Sequence, residues 1–118
     1  RRRGPPSVEA HRRPEGIRVS DRRGETAAIF TSHGVLDAVT TILASRAVGL
    51  DAEANPLVGE LLAVGEVPTV AVMLAAVAAC CLAWSTAADA VDAPEWVGFA
   101  VATIGAAVAA VNLVVVFA

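Results

Sequence analysis

Lysine is absent from this 118-residue chain, and its nine basic residues are all arginine. Eight of them precede Thr26 and the ninth is Arg46, so residues 47–118 carry no basic side chain. Nucleic-acid binding would have to rest on residues 1–26. That stretch has no aromatic side chain on which a base could stack, and no fold behind it. We expect no nucleic-acid partner. Sulfur is scarce too. The two cysteines, Cys80 and Cys81, are adjacent. Neighbours on a helix point about 100° apart, and no metal spacing surrounds the pair, so both read as small apolar filler. A metalloprotease His-Glu-x-x-His pattern, a Gly-x-Ser-x-Gly elbow and a phosphate loop are all missing. No catalytic residue and no cofactor are therefore assigned. The chain has no initiating Met and stops within apolar sequence, so its two ends carry little weight in this reading. The lack of Lys beside abundant Ala, Val and acidic residues fits a GC-rich, salt-adapted source.

What is present is apolar surface. Hydrophobic residues make up 56% of the chain, against about 45–50% in soluble domains. The excess is gathered into three segments. We therefore expect an all-α integral membrane helical bundle with three transmembrane helices, over about 27–48, 68–84 and 95–118, and one short interfacial helix over about 56–64. Residues 1–26 are polar, broken by Gly and Pro, and read as a disordered Arg-rich tail. Basic residues beside the first span place that side in the cytoplasm of a plasma-membrane protein. A signal peptide is disfavoured, because the first apolar run is too long and holds His33, Asp37, Thr40 and Thr41.

Local signals punctuate these segments. Asn55-Pro56 combines a favoured N-cap with a favoured first helical residue. Gly65 ends the short helix, and Pro68 and Pro94 mark further helix starts. Trp84 and Trp96 flank one acidic turn, as interfacial aromatics do, which suggests that spans two and three pair as a hairpin. Ala71, Ala75, Ala79 and Ala83 form a small-residue stripe, and Gly98, Ala102, Ala106 and Ala110 a second. Such stripes let helix backbones approach closely, within one chain or between subunits. The lipid bilayer is the other expected partner.

Asp37 is the anomaly. A carboxylate near mid-span costs roughly 2.5–3.5 kcal/mol on insertion scales. At 100° per residue, His33, Asp37, Thr40 and Thr41 share one face. Arg46 points the other way and is expected to snorkel to the interface. With Glu53, Asn55 and Asn112 these residues form the candidate polar cluster. A third use, His33 and Asp37 as acid/base partners in a membrane enzyme, lacks a nucleophile, which leaves two readings. In the first, Asp37 binds Thr41, Asn112 or Asn55 and locks helices together. Alternatively, Asp37 and Glu53 handle a cation or a proton, since hard ions want oxygen ligands and intramembrane Asp and His carry protons. Which metal, if any, is left open.

Leu36-Asp37-x-x-Thr40-Thr41, then Gly49, then Glu53-x-Asn55-Pro56 resemble a family of small prokaryotic, largely archaeal, multi-pass membrane proteins known only as a domain of unknown function. The resemblance runs from about Ser32 to the C-terminus. It implies that Asp37, Thr40, Glu53, Asn55 and Pro56 recur as a unit, and that Glu53 folds back toward Asp37. It implies no activity.

Overall fold

The structure is a computed structural model that describes residues 21–118. The expectation of a disordered tail falls mostly on residues 1–20, outside the described residues. Helix α1 is Arg23–Val48, α2 is Pro56–Val64, α3 is Glu66–Ala90 and α4 is Val97–Phe117. Among the described residues there is no strand. Helices α1, α3 and α4, at 26, 25 and 21 residues, are long and apolar enough to cross a membrane. Helix α1 opens at Arg23, four residues before the apolar run begins.

The ends of these helices follow from local chemistry. Helix α1 closes at Gly49, whose φ of 90° suits a residue without Cβ. A single 3-10 turn, Leu50–Ala52, follows. The Asn55 side chain accepts a hydrogen bond from the Leu57 N–H at 3.1 Å, with Pro56 as first helical residue, so the expected cap is present. Gly65, with φ of 149°, separates α2 from α3. Inside α1 the ladder widens to a π-helical turn over Phe30–Leu36, where each N–H reaches back five residues rather than four.

Helix α1 lies between the other two long helices. Contacts between α1 and α3 run in opposite directions: Trp84 meets Glu25, Cys81 meets the Thr26 carbonyl, and Glu66 meets Arg46. Contacts between α1 and α4 advance together, from Glu25 at Gly98 through His33 at Gly105 to Thr41 at Asn112. Among the described residues α3 and α4 do not pack against each other. The expected hairpin of spans two and three is therefore replaced by a central first helix with a neighbour on either side. Trp84 explains the difference. Its indole N–H is directed to Glu25, on α1, and not to the turn it shares with Trp96.

The small-residue stripes also need correction. The buried face of α4 is Gly98, Ala102, Gly105 and Ala109; Ala106 and Ala110 are exposed. On α3 the stripe Ala71, Ala75, Ala79, Ala83 faces outward throughout. The α4 face is small for a reason visible at two positions. A Cβ on Gly98 would come within 2.7 Å of the Glu25 Cγ, and one on Gly105 within 2.7 Å of the His33 Cδ2. Polar side chains of α1 lie across α4 at its glycines. We expect Gly98→Ala and Gly105→Ala each to destabilise the fold by about 1–3 kcal/mol through overpacking, with Ala106→Leu near neutral. Thermal unfolding in detergent or nanodiscs checks both.

Candidate functional site

Polar side chains along α1 engage its neighbours at four levels. The first is centred on Arg22, which is 8% exposed, and Glu25, which is 3% exposed. The Arg22 Nε donates to Asp89 Oδ1 at 3.1 Å, Nη2 to the Ala93 carbonyl at 2.6 Å, and Nη1 to the Pro94 carbonyl at 3.4 Å and to both Glu25 oxygens at 3.2 Å. Glu25 also accepts the Trp84 indole N–H at 2.7 Å. One guanidinium thus joins the start of α1, the end of α3 and the loop into α4. The planar fork of Arg permits this spread of donors; a Lys ammonium would not.

The second level is His33. Its Nε2 lies 2.8 Å from the Val101 carbonyl. A carbonyl only accepts, so Nε2 carries the proton there. Gly105, one helical turn beyond Val101, leaves that carbonyl open to the ring. At the third level the Asn112 amide nitrogen donates to Thr40 Oγ1 and Thr41 Oγ1, each at 3.3 Å. Thr40 in turn donates to the Leu36 carbonyl at 2.8 Å. At the fourth, Arg46 grips Glu66 with two nitrogens, Nε meeting Oε1 at 2.7 Å and Nη2 meeting Oε2. Arg46, read as a snorkelling residue, instead ties the end of α1 to the start of α3. The pair is exposed and holds geometry more than it adds stability.

Asp37 sits half-buried between the second and third levels. Thr41 follows it one helical turn on, along the same face of α1. Glu53 lies in the loop before α2, where its Oε1 accepts the Asn55 N–H at 2.9 Å. Asn55 itself is spent on capping α2. The structure thus brings Thr40, Thr41 and Asn112 into direct contact and places Asp37 beside Thr41. His33 is held separately by α4, and Asn55 stands apart. Among the described residues no three of His, Cys, Asp and Glu converge as ligands of one metal ion.

Sequence reasoning missed the level built by Arg22, Glu25, Trp84 and Asp89. Composition alone places Arg22 and Glu25 in a polar tail, and Trp84 among interfacial aromatics. The available signal was the i, i+3 spacing of Arg22 and Glu25 just ahead of an apolar run. For the third level, Asn112→Leu should cost about 0.6 kcal/mol and at most about 1.7. A double-mutant cycle with Thr41→Val, read by thermal unfolding, should show that the two changes are not additive.

No curated protein and no solved structure matches the chain. A family model described as a domain of unknown function, DUF5658, matches residues 28–118, from the first turns of α1 to the end of α4. The chain belongs to the DUF5658 family, a domain of unknown function.

Proposed function

We propose that the protein is a small multi-pass integral membrane protein of the plasma membrane, with a cytoplasmic N-terminus, that serves as a structural or accessory subunit. The observation that carries this reading is the use of its intramembrane polar side chains. His33, Thr40, Thr41, Asn112 and Trp84 each bond a neighbouring helix rather than converging on a chamber. The outward stripe Ala71, Ala75, Ala79, Ala83 is a flat surface on which a partner helix can pack. Arg22 and Arg23 stand at one end of the bundle, with the other N-terminal arginines preceding them. That supports the orientation, since basic residues favour the cytoplasmic side. The recurrence of Asp37, Thr40, Glu53, Asn55 and Pro56 as a family signature, and an archaeal source, belong to the same proposal.

The second reading, a cation- or proton-handling protein using Asp37 and Glu53, is favoured by one observation. The Asp37 carboxylate is half-buried on α1, one helical turn beyond His33. Steady-state membrane levels of Asp37→Ala and Glu53→Ala beside wild type separate the readings. The subunit reading expects Asp37→Ala to be depleted severalfold and Glu53→Ala to persist. Normal accumulation of Asp37→Ala, with cation-dependent thermal stability in the wild type, would move the assignment to the second reading. Ala75→Leu with Ala79→Leu should weaken crosslinking to any partner helix, and unchanged crosslinking would remove the stripe from the proposal.

A further inference from the structure

The buried face of α1 changes phase halfway along. In its first half Arg22, Glu25, Ile29 and Ser32 are buried, in steps of three and four residues. An α-helix continued from Ile29 would next bury Leu36 and Leu43, at successive seven-residue steps. Both are exposed, at 42% and 40%. The buried set is instead Gly34, Ala38 and Thr41, with Thr40 beside them. Gly34 lies five residues beyond Ile29, and the change falls within the π-helical turn Phe30–Leu36. There the Asp37 N–H reaches the Ser32 carbonyl, five residues back.

We infer that the π-helical turn is a register device, equivalent to one residue inserted into α1, and that it turns Asp37 and Thr41 toward the bundle in place of Leu36 and Leu43. The turn reconciles two anchors that a continuous α-helix of this sequence could not seat together. One is the Arg22–Glu25 clamp; the other is the Thr40–Thr41–Asn112 contact. Its consequence is an asymmetry. Removing one residue from the turn lets α1 become a continuous α-helix with both anchors still in phase. Adding one residue rotates the second half by about 100°. An ordinary helix would be rotated by either change.

The test uses the full chain with Cys80→Ala and Cys81→Ala, and with Thr41→Cys and Asn112→Cys as a crosslinking pair across the third level. Val35, in the turn and 43% exposed, is deleted in one variant, and an alanine is inserted after it in another. The expected result is that the deletion retains the crosslink of the parent and the insertion loses it. Loss in both variants, or retention in both, would overturn the inference. Should the Val35 deletion fail to accumulate, deletion of the exposed Thr31 decides. If neither deleted chain accumulates, the turn is not a one-residue insertion and the inference fails.

Discussion

The Arg22 guanidinium is the group on which the arrangement of the three long helices depends. Charge-assisted hydrogen bonds are roughly twice as strong as neutral ones. Arg22 directs its nitrogens to Glu25, to Asp89 and to the carbonyls of Ala93 and Pro94. Breaking such a cluster from one side strands a charge. The arrangement is also geometrically exacting, because the acceptors come from three segments: α1, the end of α3 and the loop into α4. Once Arg22 is seated, the end of α3 and the start of α4 are both placed against α1. They need not touch each other, and among the described residues α3 and α4 do not pack together.

The rest of the α1–α4 seam follows from glycine. Two long polar side chains, Glu25 and His33, lie directly over α4, and both meet it where a Cβ is missing. Close approach lets the His33 ring reach a main-chain carbonyl that a larger residue at position 105 would cover. Small residues in apolar helices are usually discussed as surfaces for backbone against backbone. On α4 they are recesses for side chains. On α3 the alanines face outward and have no such occupant among the described residues.

This distinction explains what was legible in the sequence. The helices, their approximate ends and the cap at Asn55 were readable, because apolar run length, Pro and Gly act locally. The neighbour relations were not. Adjacent spans with a tryptophan at each side of one turn suggested a hairpin, yet Trp84 serves Glu25. Stepping by four along α4 selected Ala106 and Ala110, whereas the buried face steps by four and three and ends on Asn112. His33, Thr40 and Thr41, placed on one face by the helical repeat, all meet α4. Composition misled at Arg22, because a charged stretch next to a span reads as tail until its partners are in place.

Asp37 is where the magnitudes do not close within the chain. On the membrane reading, a carboxylate near mid-span costs roughly 2.5–3.5 kcal/mol to insert, and half-burial reduces that only in part. An interhelical polar contact returns about 0.6 kcal/mol on average. Thr41 lies one turn on along the same helix and is no interhelical partner, and the hydroxyl of Thr40 is spent on the Leu36 carbonyl. Packing against this chain's own helices therefore offsets a minor share of the cost. The remainder calls for a donor or a positive charge beyond those contacts of the described residues. Residues 47–118 contain no basic side chain to supply it, and Arg22 and Arg46 are engaged at opposite ends of α1. A partner helix bearing a donor and a bound cation meet that requirement equally well. The subunit and ion-handling readings thus share one physical origin, an incompletely covered carboxylate, and differ only in what covers it.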